Sequence, residues 1–147
     1  MSTRADFLAE VRKTVGTPFH HQGRVPGVGL DCPGPMIHAA WALGLAPRTE
    51  NITGYSLQPD GVSLQSFCEQ YMDRIDFSEA EPGDVVLCRF REGHPQHLGV
   101  LSDANPERRY WIHANGRGAR KEVMETRLDL STRYMSLVAA YRVRGLE

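Results

Sequence analysis

Cysteine is scarce in this sequence, with three residues in 147. Cys32, Cys68 and Cys88 are too scattered for a disulfide framework, and no C-x-x-C pair offers a structural zinc site, so reduced thiols are expected. An excess of either charge is also missing. Lys and Arg number 17 against 18 Asp and Glu, which argues against a general nucleic-acid binder. No run approaches the roughly 20 apolar residues of a membrane span. The stretch from Met1 to Phe7 lacks the apolar segment of about 7 to 15 residues that marks a signal peptide, so synthesis in the cytoplasm without one is expected. Repeats, low-complexity tracts and linkers are missing too, which leaves residues 1–147 as a single expected domain. What remains is an ordinary globular composition, 41% hydrophobic and 24% charged, which disfavours disordered, collagen-like and coiled-coil chains.

Helical signals come first. Thr3 with Asp6 three residues on has the form of a capping box, and Phe7, Leu8, Val11 and Val15 recur at helical spacing until Gly16 and Pro18. From Gly16 to Pro35 there are five glycines and four prolines, a long irregular loop of the kind that carries function or stays disordered. A buried helix with Met36, Ile37, Ala39, Ala40, Trp41 and Leu43 follows, stopped by Gly44 and Pro47. A third is expected from Ser63, with Leu64, Phe67, Cys68, Tyr71 and Met72 on one stripe. After Pro82-Gly83-Asp84 the pattern changes to β-rich runs at Val85–Phe90, His97–Ser102, Arg109–Ala114, Ala119–Glu125 and Leu137–Val143. Their short connections suit antiparallel hairpins, so the expected fold class is α+β, with the helices segregated from an antiparallel sheet.

The reactive side chains converge on Cys32, His97 and His113. Cys32 precedes the central helix, and Pro33 fits the first helical position, which would make Cys32 the N-cap. A thiol there feels the positive end of the helix dipole, so a lowered pKa and a nucleophilic thiolate are expected. His97 and His113 lie in two successive strand segments. Pairing Leu101 with Arg109 would set the two histidines directly opposite each other, one to accept the thiol proton and the other to orient it.

The segments Gly16-Thr17-Pro18-Phe19-His20-His21-Gln22-Gly23, Gly29-Leu30-Asp31-Cys32-Pro33-Gly34, Pro82-Gly83-Asp84-Val85-Val86, His97-Leu98-Gly99-Val100-Leu101 and Ile112-His113-Ala114 resemble, in order, the NlpC-type cell-wall peptidases. The resemblance covers about Gly16 to Ala114. It implies a papain-like fold, with N-terminal helices packed on a five- to six-stranded antiparallel sheet. The implied activity is cysteine peptidase cleavage of bacterial peptidoglycan stem peptides between γ-D-glutamate and a diamino acid, with no cofactor. By the same resemblance Cys32 is the nucleophile, His97 the general base and His113 the orienting residue, while His21, Asp31 and Pro33 border the substrate. Small members without a signal peptide resemble those encoded with phage tails and gene transfer agents. Phage-tail-type partners and delivery to the wall in a virion-like particle are therefore expected.

Three departures from the family pattern stand out. Pro33 replaces a serine or alanine and Pro35 a hydrophobic residue, each removing a backbone N–H, so an oxyanion hole must draw on donors such as the Cys32 N–H. His21 stands where the family has an aromatic residue. Other readings carry less weight. His94, His97 and His113 could form a three-histidine metal site, although Pro95 and the lack of acidic ligands argue against one. Arg117, Arg120 and Lys121 could form an anion patch, against the simpler reading of a solvated hairpin tip. Gly27-Val28-Gly29 follows no expected strand, so it is not read as a dinucleotide loop. A non-enzymatic tail component, or an amidase or acyltransferase with the same Cys-His pair, are the rival functions.

Overall fold

Thr3 and Asp6 close the capping box at the start of helix α1, Arg4–Arg12. The Thr3 hydroxyl accepts the Asp6 N–H, and the Asp6 carboxylate accepts the Thr3 N–H at 2.8 Å. The computed structural model describes residues 1–49, 51, 62–91, 95–131 and 133–147, with side chains at 95 and 96 left aside. Helix α1 buries Phe7, Leu8 and Val11 but ends before Val15, which is exposed. The spacing at Val15 is helical. The Thr14 hydroxyl, however, donates to the Val11 carbonyl at 2.6 Å, and Gly16 turns the chain at φ +90°.

Helix α2 spans Gly34–Ala42 and buries Met36, Ile37 and Ala39. Helix α3, Ser63–Tyr71, stops one residue short of the expected stripe because Met72 is extended and opens a strand. The Gly16–Pro35 segment is not wholly irregular. Strands β1, Arg24–Val25, and β2, Gly29–Leu30, pair within it. There a Cβ on Gly23 would lie 2.4 Å from the Gly29 carbonyl oxygen, so only glycine permits the approach.

Six strands form the main sheet: β3 Met72–Ile75, β4 Val85–Phe90, β5 Pro95–Ser102, β6 Tyr110–Ala114, β7 Val123–Arg127 and β8 Met135–Val143. They lie in the order β3-β8-β4-β5-β6-β7, every pair antiparallel. Alternation along the strands makes two apolar layers. Leu87, Leu98, Val100, Ile112, Ala114 and Tyr141 pack with Phe7, Leu8, Met36 and Cys68 of the helices. On the other side Val86, Cys88, Leu101, Trp111 and Ala140 form a second cluster with Leu128. Cys68 and Cys88 are fully buried.

Two strand expectations need correction. The segment expected at Ala119–Glu125 is β7 at Val123–Arg127, because Asn115 draws residues 117–120 into a turn: its Nδ2 donates to the Arg117 and Arg120 carbonyls at 2.9 and 2.8 Å. The β5–β6 register also differs by two residues, with Leu101 opposite Trp111 and Gly99 opposite His113. Pairing Leu101 with Arg109 would have set a guanidinium in the second apolar cluster. Arg109 instead lies beyond the ladder, donating to the Ala80 and Phe77 carbonyls at 3.0 and 3.1 Å with its guanidinium 4.4 Å above the Phe77 ring. The slip is even-numbered, so both histidines keep the face expected for them.

Candidate active site

Cys32, His97 and His113 meet where the start of α2 abuts β5 and β6. The Cys32 Sγ lies 3.6 Å from His97 Nδ1, and His97 Nε2 lies 2.7 Å from His113 Nδ1. His113 Nε2 continues the line to the Thr126 hydroxyl at 2.8 Å. Each step between strands is diagonal, because Gly99, not His97, sits opposite His113, and Trp111, not His113, sits opposite Thr126. The rings are held edge and face. Trp111 stacks on His113 at 4.7 Å and meets His97 edge-on at 5.1 Å.

Hydrogen-bond counting leaves two tautomers of the neutral pair. In one, His97 Nε2–H donates to His113 Nδ1 and His113 Nε2–H donates to Thr126, so the His97 Nδ1 lone pair faces the sulfur. In the other every proton is reversed and Nδ1–H faces the sulfur. A thiol that donates to His97 selects the first, and its other acceptor, the Ala114 carbonyl, lies farther off at 3.9 Å. Burial, aided by the Asp31 carboxylate, pushes the Cys32 thiol up to about 12. Burial also takes His97 down to about 3, helped by His113 and Arg117, and His113 down to about 4. Burial thus favours a neutral thiol and two neutral imidazoles at rest, the opposite direction to the lowered thiol pKa expected from the helix start.

The helix start explains part of this correction. Pro33 occupies the N-cap position, so Cys32 precedes it by one residue and Pro35 is the proline within the first turn. The Gly34 N–H is committed to the Asp31 carbonyl at 3.0 Å. Pro33 and Pro35 have none, which leaves the Cys32 N–H as the helix-start donor near the sulfur. The N–H groups of Cys32 and Leu98 favour the thiolate, but burial outweighs them.

Of the residues expected to border the substrate, His21 is half-buried and Pro33 is buried. Asp31 is 3% exposed, with one carboxylate oxygen 2.8 Å from Arg24 Nη1 and the other accepting the Gln22 N–H at 2.8 Å. That second bond is made from a Gln22 backbone at φ +60°, an uncommon conformation for a non-glycine residue. The β1–β2 hairpin is thus tied to the residue before the nucleophile. Sequence reasoning missed Arg24, Gln22 and Thr126. Thr126 fell just outside the expected strand, and a charged pair seven residues apart in a loop has no periodic signal. Among the described residues no group of three His, Cys, Asp or Glu side chains is placed to hold a metal, and His94 lies outside them.

Two measurements follow from this geometry. Brief iodoacetamide treatment should modify Cys32 ahead of Cys68 and Cys88, because the last two are fully buried while Cys32 is partly exposed and beside a base. Peptide mapping that found equal labelling of all three would contradict the site. For a reaction in which His97 takes the thiol proton, His97 must begin unprotonated and the thiol protonated. With the imidazole lowered and the thiol raised, that form persists from about pH 5 to about pH 9. A flat kcat/KM over that range is expected, and an acid limb centred near an ordinary imidazole pKa of about 6.5 would show that His97 is not held neutral.

No protein-family model matches the chain, and no curated protein does. Among solved structures it superposes on the NlpC/p60 domain of peptidoglycan hydrolase SagA with a TM-score of 0.61 and 20% identity, over 96% of this chain and 99% of that one. A second structure, described as similar to a lipoprotein of the NLP/P60 family from Staphylococcus aureus subsp. aureus Mu50, gives a TM-score of 0.58 and 20% identity. The match covers 95% of this chain and 41% of that one. The three α-helices and six-stranded antiparallel sheet of the described residues, with these two likenesses, establish that the chain has the α+β, papain-like fold of NlpC/p60 domains.

Proposed function

We propose that the protein is a cysteine endopeptidase that hydrolyses bacterial peptidoglycan stem peptides at a γ-D-glutamyl–diamino acid linkage. The observation that carries this reading is the line from the Cys32 sulfur through His97 and His113 to Thr126. The substrate class is supported by the fold shared with a peptidoglycan hydrolase domain and by the ordered sequence motifs.

As the Cys32 sulfur attacks the scissile carbonyl carbon, its proton passes to His97 Nδ1. The carbonyl oxygen gains charge beside the Cys32 N–H. His113 accepts from His97 Nε2–H and so keeps Nδ1 aimed at the sulfur, the part a carboxylate plays in other triads. The C–N bond then breaks, and the His97 proton leaves with the amine, giving a thioester. Water gives a proton to His97 as it attacks the thioester, and the sulfur recovers its proton when the acid departs. His21, Asp31 and Pro33 are the proposed substrate-bordering residues. Asp31 and Pro33 flank the nucleophile, and the Arg24–Asp31 pair fixes the wall on that side.

Mass spectrometry of purified peptidoglycan fragments, incubated with the protein and with Cys32→Ala, tests the reading. Cysteine-dependent appearance of a new glutamate carboxyl and a new diamino acid amine is expected. Release of a different bond would point to an amidase or acyltransferase, and no release to a non-enzymatic component. Delivery to the wall with phage-tail-type proteins is proposed on the resemblance of the motifs, and co-sedimentation with purified particles would test it.

A further inference from the structure

Arg117 differs from its basic neighbour at the β6–β7 turn. Arg120 pairs with Glu122 at 2.6 Å, whereas Arg117 has no acidic partner among the described residues. It lies instead with its guanidinium carbon 4.3 Å above the Phe90 ring, and Phe90 in turn packs against His97 at 5.3 Å between ring centroids. These two contacts hold the cation within about 10 Å of the His97 ring, on the order of a Debye length in physiological salt. Its charge is felt at that imidazole. The backbone is fixed as well: the Asn115 carboxamide accepts the Arg117 N–H at 3.2 Å and donates to its carbonyl at 2.9 Å.

A guanidinium held over an aromatic face by its carbon still has N–H groups to offer, and two of them can bind a carboxylate through parallel hydrogen bonds. Stacking also restrains a side chain that would otherwise lose entropy on pairing. An exposed cation near the proposed general base, with no acidic partner among the described residues, therefore has a function to fill. A stem peptide cut at a γ-glutamyl bond carries the glutamyl α-carboxylate on one side of that bond and, where the diamino acid is dicarboxylic or C-terminal, a free carboxylate on the other.

We propose that Arg117, braced on Phe90, is a specificity-determining residue that pairs with a substrate carboxylate flanking the scissile bond, so that peptides carrying this group free are taken over those in which it is amidated. The nature of the substrate rests on the peptidase reading above; the anion site near His97 does not. Because the pair is partly solvated, its effect is expected to be about tenfold in KM.

The test compares kcat and KM for γ-D-glutamyl–diamino acid peptides with the glutamyl α-carboxylate, or a diamino acid carboxylate, free or amidated. Wild type, Arg117→Gln and Arg117→Lys are measured. Amidation at one position should raise the wild-type KM about tenfold and identify which carboxylate is read. Arg117→Gln should show one KM for both forms, with Arg117→Lys between. Equal KM values for free and amidated peptides in wild type at both positions would overturn the proposal. If wild type cleaves none of these peptides, the peptidase reading fails, and alkylation of Cys32 then decides the anion site. Arg117→Gln should lower the rate with iodoacetate relative to iodoacetamide, and an unchanged ratio would overturn it.

Discussion

Cys32→Ala is expected to leave no measurable turnover of any peptidoglycan fragment. The acyl group has to be carried on the sulfur between departure of the amine and arrival of water, and alanine has nothing to carry it. His97 alone cannot substitute, because its Nδ1 faces the Cys32 sulfur at 3.6 Å and a water in that place would have to be both oriented and activated by a base held near pKa 3. Folding should survive the change, since Cys32 lies at the edge of the helix–sheet core and is partly exposed. A Cys32→Ala protein that melts with wild type and still cleaves stem peptides at more than a trace rate would remove the covalent mechanism altogether.

The second large effect falls on His97, and it is to be read as an order. His97→Ala removes the group that takes and returns the proton, a loss of about 10² to 10⁴ in rate. Because the thiol is held protonated by burial, little standing thiolate remains to react unaided. His113→Ala should cost less. It frees His97 Nε2–H from its 2.7 Å acceptor and lets the ring choose either tautomer, without removing the base. His113→Asn retains a polar group near the same place and should cost least. His97 is only 5% exposed and packs on Trp111, so its alanine variant opens space in the interior, and His97→Gln serves as the better-filled companion. If His113→Ala were as inactive as Cys32→Ala while His97→Gln kept most of its rate, the two roles would be reversed.

Legibility in the sequence followed from periodicity and from turn chemistry. Thr3 and Asp6 announce α1 because a capping box is a local code, and the two apolar layers show in the alternation of Leu98, Val100 and Leu101 against Ile112 and Trp111. The β5–β6 register was not readable. Two pairings an even number of residues apart give the same inward and outward pattern, and only the tertiary fate of Arg109, turned to the Phe77 and Ala80 carbonyls, separates them. The same limit applied to the nucleophile. A cysteine before a helix suggests a lowered pKa, whereas burial under residues from β5 and β6, which no local window contains, pushes it the other way. Thr126 and the Arg24–Asp31 pair were hidden for the same reason, being contacts between elements.

Gly99 sits opposite His113, and a Cβ built on it would come within 2.4 Å of the Trp111 ring. The hydrogen that stands in place of a side chain there lets the indole lie flat across the strand, and both imidazoles rest on that indole. The alignment of the proton path is thus inherited from a residue that has no side chain and touches no proton. Gly99→Ala would tilt the platform beneath two rings at once, a change that leaves every titratable group in the chain and still takes the relay out of line.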